Sequence, residues 1–346
     1  MSPHSPRARY PRLMLLTIAT ATAFTLTACG LGGHSESARR ATAVPSASPA
    51  AQGVVTKAAA EQTLNTYEKN QQPGQRHAER QAILATVEAG QLNVQSRADY
   101  EQFKTFEAKE QQRYRSPFSY EDREYYIPGA GTADWFAVKA RSSESADGEA
   151  LMIFDKVGGT YKLTLAVHTD KESIPPIARD RDGIATAVDP ARRVGPLAAD
   201  QLSKALEDLV ETGGRNEGRK LASTPLTRQS LKLHRDRNKR TAGQKGPVTW
   251  TTNFVHQPPA HPTVYALRLA DGGVISLFPT ARTAEYLNKP QYRSSRILVP
   301  GPTQALYDSR PRDLITDEYQ GQAMAVLHPH RKARVIAQEY RLVDAR

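Results

Sequence analysis

Apolar positions recur at helical spacing over residues 55–70 and 75–89, with Leu64 beside Tyr67 and Ile83 beside Val87, and Gly90 supplies a stop. A third helix is predicted over 97–113, with Tyr100, Phe103 and Phe106 on one side. The period then changes to two. Strands are predicted over 125–127, 135–141, 149–157 and 161–168. Gly158-Gly159, between the last two, is a hairpin signal, because a type I′ turn needs positive φ at both central positions. In the fourth strand Tyr161, Leu163, Leu165 and Val167 share one face and Lys162, Thr164, Ala166 and His168 the other, which predicts one buried face and one partly wet.

Residues 171–195 are rich in Pro, Asp and Arg with little periodicity, and predict a linker between domains 54–170 and 196–346. Beyond it Leu197, Leu202, Leu206, Leu209 and Val210 form the apolar stripe of a further helix that Gly213-Gly214 ends. Strands follow over 248–256, 263–270, 274–279, 321–328 and 333–343, with Asp271-Gly272-Gly273 as a second hairpin turn. The closing hairpin AMAVLHPHRKARVIAQEY echoes ALMIFDKVGGTYKLTLAV of the first half. The expected fold class is α+β, as two tandem helix-plus-antiparallel-sheet units. An old duplication and an unrelated second domain both fit that pattern. The element order of the first unit is similar to the cone-shaped nuclear-transport-factor-2-like fold. Such cones often house a pocket, but they carry many functions, so the resemblance assigns none.

The first residues follow a different pattern: Arg7, Arg9 and Arg12, then an apolar run over 13–28, then Leu26-Thr27-Ala28-Cys29. A run of sixteen residues is short for a bilayer-spanning helix, which needs roughly twenty, and reads as the core of a secretory signal over 1–28. The closing tetrapeptide resembles the lipobox of bacterial lipoproteins. That resemblance implies a thioether from the Cys29 thiol to diacylglycerol, cleavage just before Cys29, further acylation such as palmitate, and a place on the outer face of the cytoplasmic membrane. Cys29 is the sole cysteine, so a disulfide or a cysteine-based metal site has no second thiol. Residues 30–53, GLGGHSESARRATAVPSASPAAQG, are too poor in large apolar side chains to bury a core, and predict a disordered tether over 29–53. As a coil these 24 residues span about 27 Å, and fully stretched about 80 Å.

The formal net charge is +11, and removal of a signal with three arginines and no acid leaves +8. Outside the cell such a surface meets anionic lipid headgroups and the phosphates of wall polymers, and nucleic acid is a poor candidate. Ala, Arg and Pro richness suggests an actinobacterial genome. The stretches ILATVEAGQLNVQSRADYEQF, EYYIPGAGTADWFAVKA, LMIFDKVGGTYKL and DGIATAVDPARRVGPL resemble uncharacterised secreted lipoproteins of Streptomyces-type actinobacteria that carry a domain of unknown function. The resemblance implies no reaction, cofactor or catalytic residue.

No nucleophile elbow, Ser-x-x-Lys pair, Walker A loop or His-Glu-x-x-His helix is present, and no cofactor is expected. Gly129-Ala130-Gly131 lacks the third glycine and following helix of a dinucleotide fingerprint, and reads as a turn. Asp180-Arg181-Asp182-Gly183 opens like a calcium loop without the downstream ligands, and reads as a solvated loop. His256 and His261 flank one Pro-Pro pair and His328 and His330 flank Pro329. Imidazoles on a sheet rim could ligate zinc or copper, but turn histidines are commonplace, and no metal site is assigned. His168, with Tyr161 and unspecified acids, is the acid-base candidate for an alternative reading as an exported hydrolase. The aromatics Tyr100, Phe103, Phe106, Tyr114, Phe118, Tyr120, Tyr125 and Tyr126 either stack a sugar or fill the gap between helices and sheet. The basic run Arg228, Lys232, Arg235, Arg237, Lys239, Arg240 and Lys245, with only Asp236 against it, reads as an exposed loop, either simply solvated or gripping phosphate-rich polymer or headgroups. The expected role is a non-catalytic binding or scaffolding module of the envelope, its protein partners unspecified.

Overall fold

Helical spacing in the first half produces α1 Lys57–Gln71, α2 His77–Val87, α3 Gly90–Gln102 and α4 Ala108–Tyr114. A computed structural model describes residues 52–71, 77–143, 148–169, 174–239, 247–299 and 301–346. Cys29, residues 30–51 of the expected tether, Arg240 and Lys245 lie outside them, whereas Gly53, expected to end the tether, already bridges to Gly129. The single helix expected over 97–113 is two helices: Thr105 Oγ1 turns back onto the Gln102 carbonyl at 2.8 Å and Phe106 is extended at ψ 146°, so the helical ladder stops. α3 also begins seven residues before the expected start. Its buried positions are Gln91, Gln95, Ala98, Tyr100 and Gln102, three of the five written in amides, which an apolar periodicity does not register.

Four strands follow as an antiparallel meander in chain order: β1 Tyr120–Tyr126, β2 Trp135–Ser142, β3 Glu149–Val157 and β4 Thr160–His168. Gly158 and Gly159 both take positive φ, +61° and +85°, at the expected turn. In β4 the expected single apolar face is divided. Ile153 pairs Leu165 and Phe154 pairs Leu163, so Thr164 is an extra residue, a β-bulge, and the alternation changes sides there. Leu163 packs with Phe136, Met152 and Phe154 against Leu64 and Tyr67 of α1, whereas Leu165 and Val167 turn the opposite way, with Leu151 and Ile153. No wet face remains in the middle of β4: Leu163, Thr164, Leu165, Ala166 and Val167 are all buried.

What covers the second face is the other half of the chain. A short hairpin, β5 Arg193–Val194 with β6 Leu197–Ala198, leads into α5 Leu202–Glu211 and α6 Pro225–Asp236. The five-stranded sheet comprises β7 Trp250–His256, β8 Tyr265–Arg268, β9 Val274–Asn288, β10 Leu314–His328 and β11 Arg331–Ala345, with one-turn α7 at Pro302–Ala305. Its order is β11-β10-β9-β7, and β8 pairs the start of β9. Leu267, Leu269, Ile275, Leu277, Met324, Val326 and Ile336 meet the first sheet in one core. The opposite face of the second sheet, including Phe278, Ala323, Leu327 and Val335, packs on Leu202, Leu206 and Leu209 of α5. The layers therefore run helices, four-stranded sheet, five-stranded sheet, helices, and the described residues form one compact unit.

Polar links fasten the layers where apolar contact is thin. Gln322 Oε1, fully buried on β10, accepts from the Ala166 N–H at 2.9 Å just past the bulge. Tyr265 on β8 donates to Asp155 of β3 at 2.6 Å, with Trp135 edge-on at 5.3 Å. Gln91 of α3 donates to the carbonyl of Gly321 at 3.0 Å, and Gln95 to that of Gln320 at 2.9 Å.

Candidate functional site

The basic run begins as a helix, not as the expected loop. Thr224 caps α6 by accepting from the Thr227 N–H at 3.2 Å, and Pro225 sits inside the first turn, where its missing N–H costs nothing. Leu226 and Leu231 bury one side against the apolar layer beneath α5. Arg228, Lys232 and Arg235 are exposed on α6; Arg237 and Lys239 follow its end. Asp236 gathers most of this charge, pairing Lys232 at 2.5 Å, Lys239 at 2.9 Å and Arg235 at 3.6 Å. Those two lysines hold its carboxyl well below the usual range. Arg237 bonds the His234 carbonyl, and Arg228 reaches Ser223 at 3.5 Å.

The histidines are dispersed. His256 lies opposite Arg282 in the β7–β9 ladder, whereas Leu327, beside His328, lies opposite Val274. Eight residues of β9 separate those positions, about 26 Å. His328 Nε2 stands 3.6 Å from Asp271, and His330 is exposed in the following turn. Among the described residues no three His, Cys, Asp or Glu side chains gather as metal ligands. His168 and Tyr161 occupy opposite ends of β4: the imidazole lies over Tyr120 at 6.4 Å and the phenol packs edge-on against Phe136 at 5.1 Å. The aromatic series divides likewise. Phe103, Phe106 and Tyr114 form a triangle of rings beside α4, and Tyr120 and Tyr125 join the core under α1. Asp180 Oδ1 accepts from the N–H groups of Asp182 and Ile184, both at 2.9 Å, so that carboxylate closes a turn.

One polar group was absent from the sequence expectations. Glu207, buried on α5, accepts from Tyr340 at 2.6 Å and from Thr280, and faces Arg282 at 3.5 Å. The Arg282 guanidinium lies 3.9 Å from the centre of the Tyr340 ring, with Phe254 and Tyr319 each at 5.9 Å. Further along the same face, Asp317 is fully buried beneath Gln304, at 3.2 Å, and Tyr319, at 3.3 Å. Burial pushes its carboxyl up, against the pull of those hydrogen bonds. The alternation Thr280, Arg282, Ala284, Tyr286 past Pro279 was the available signal for this face. Beyond it an open cleft of about 460 Å³ at the strand ends is lined by Thr251, Leu287, Asn288, Lys289, Arg293 and Asp313. Its one acid and two bases do not converge on a buried nucleophile.

With these surfaces placed, the comparisons with known proteins bear on the whole chain. The profile described as Domain of unknown function (DUF8094) matches residues 51–346, which take in both sheets and every described helix. The chain belongs to the DUF8094 family. An uncharacterized lipoprotein of Streptomyces coelicolor is 32% identical to this DUF8094 chain over 280 residues, 78% of the chain and 76% of the relative. No solved structure matches it. The family match begins at residue 51 and takes in residues 51–53, the last three of the expected tether.

Proposed function

We propose that this DUF8094 protein is a lipid-anchored lipoprotein of the outer face of the cytoplasmic membrane, acting as a non-catalytic binding or scaffolding module of the cell envelope. The anchor is diacylglycerol on Cys29, and the partners are anionic headgroups or phosphate-rich wall polymer met by its basic surface, including Arg228, Lys232, Arg235, Arg237, Lys239 and Arg240. In the same reading the halves 54–170 and 196–346 are tandem helix-plus-sheet units joined through 171–195 and closed on each other, the first of cone-like descent. The observation that carries the non-catalytic role is that the two sheets pack on each other and on the helices outside them, while His168 and Tyr161 stand apart at opposite ends of β4. The lipoprotein relative supports the anchor.

Two measurements test this reading. In cells fed a clickable fatty acid, the wild-type protein takes up label and Cys29→Ala does not; equal labelling sinks the anchor. Crosslinking in intact cells is expected to recover wall fragments or envelope proteins. A robust hydrolytic activity with no crosslinked partner would turn the reading to the exported enzyme.

A further inference from the structure

Three arginines with no acid among them line a cleft at the end of the second sheet. Its walls include Arg192 and Arg193 before and within β5, Arg268 closing β8, Gly272 of the next turn, and Pro329 between β10 and β11. The volume of this open cleft is about 140 Å³. That is below the roughly 300–1,000 Å³ of small-molecule pockets and leaves room for several waters at roughly 30 Å³ each, a size suited to a compact ion.

The cleft is held in shape by close backbone packing. Gly195, at φ +69°, lies where a Cβ would stand 2.3 Å from the His328 carbonyl oxygen, so the β5–β6 hairpin is set directly on the turn carrying Pro329. Arg193 is braced along its own hairpin, Nε donating to the Gly195 carbonyl at 3.1 Å and Nη2 to that of Pro196 at 3.2 Å. Several other arginines are paired with acids: Arg123 with Glu68, Arg141 with Glu121 and Asp122, Arg282 with Glu207, and Arg341 with Asp99. Among the described residues no carboxylate pairs with Arg192, Arg193 or Arg268. The acids adjacent in sequence are engaged otherwise. Asp189 accepts from the Ala191 N–H, and Asp271 accepts from the Gly273 N–H and faces His328.

Guanidinium groups gathered around one concavity repel each other, and an oxyanion placed among them removes that cost while accepting forked hydrogen bonds. We propose that the cleft formed by Arg192, Arg193 and Arg268 binds a phosphate group, carried by an anionic lipid headgroup or by a phosphodiester wall polymer. The inference rests on the envelope reading only for where that phosphate is met. Placement agrees with it. Gly53, the start of the folded chain, bridges to Gly129, Pro128 bridges to Ala185, and Ala187 bridges to Leu267, next to Arg268. The cleft lies a few strand spacings from the point where any upstream anchor enters.

The test uses the mature protein in non-ionic detergent micelles, titrated in one arm with oligomeric poly(glycerol phosphate) and in the other with phosphatidylglycerol doped into the micelles. Replacing the trio (R192Q/R193Q/R268Q) is expected to weaken binding at least about tenfold. Removing the same charge from exposed positions outside the basic run (K69Q/K104Q/K109Q) is expected to change it less than about twofold. Loss confined to the lipid arm assigns the site to headgroups, and loss confined to the polymer arm assigns it to the wall. No binding in either arm, or equal weakening by the two triple variants, overturns the proposal. Should the cleft triple fail to fold, Arg268→Gln alone carries the test, and undiminished affinity overturns it. A Cys29 that takes no lipid leaves the polymer arm intact, so failure of the anchor and failure of the cleft are seen separately.

Discussion

Glu207 sits among the leucines of α5, yet its carboxylate is the only counter-charge within reach of the buried Arg282 guanidinium among the described residues. Glu207→Ala leaves a cation in the core with no opposite charge, an arrangement that costs about 3–5 kcal/mol. Chemical denaturation should register that loss, and Glu207→Gln should lose less, because the hydroxyls of Thr280 and Tyr340 keep an acceptor. A loss below about 1 kcal/mol in the alanine variant would show that Arg282 finds its charge balance elsewhere. Neither residue announces this role in sequence, since a glutamate on an amphipathic helix reads as solvated. Thr164 was opaque for another reason: a single inserted residue changes which side every later side chain of β4 faces, and alternation alone cannot locate the insertion. The glycines were legible. Gly158, Gly159, Gly213, Gly214 and Gly272 all take positive φ in turns or stops, a conformation that side chains with a Cβ rarely adopt.

At the level of elements, the strands of the four-stranded meander and the two hairpin turns follow from period-two patterning, and β3 runs over the expected residues, Glu149–Val157. Errors arose wherever an element buries polar groups. Strand β9 continues to Asn288, past the expected end at Pro279, because its second half buries Thr280 and Arg282 against Glu207 where an apolar pattern would be looked for. Helix α6 was hidden by its charge, although Thr224-Pro225 is a sound start signal and Leu226 and Leu231 a narrow apolar stripe. Helix α3 shows the effect most fully, since it docks on the second sheet through amide-to-carbonyl bonds. Gln91→Leu should therefore cost about 1–3 kcal/mol in spite of its greater hydrophobicity, because the carbonyl oxygens of Gly321 and Thr280 lose a donor in a buried position. Equal or greater stability of that variant in urea would mean those carbonyls find a donor elsewhere.

Over the whole molecule, the class α+β was readable, but the meeting of the two sheets was not. Residues of the first sheet that build the common core, such as Leu151 and Ile153, lie more than a hundred positions from Leu267 and Met324 of the second, and nothing local to either strand indicates its partner. That shared core has a thermodynamic consequence. Parting the halves would expose the inner face of both sheets at roughly 25 cal/mol per Å² of apolar surface, so neither half has a stable state of its own to rest in. Calorimetry on the mature chain should show one unfolding transition, coincident by near- and far-ultraviolet circular dichroism. Two resolved transitions would instead mean that the sheets melt independently. The candidate site was partly legible. The basic run was visible as composition, whereas the acid-free arginine cleft is assembled from three turns distant in sequence and exists only after folding.

Strands β9 and β10, each fifteen residues long, act as a boom. Their near end adjoins the bridges that lead back to Gly53, and their far end, where exposed Leu287 stands opposite exposed Leu314, is about 40 Å away. Gly53 therefore sits at the heel of this boom. The arginine cleft and the leucine tip stand at opposite ends of the same pair of strands, so that whatever meets one is out of reach of the other.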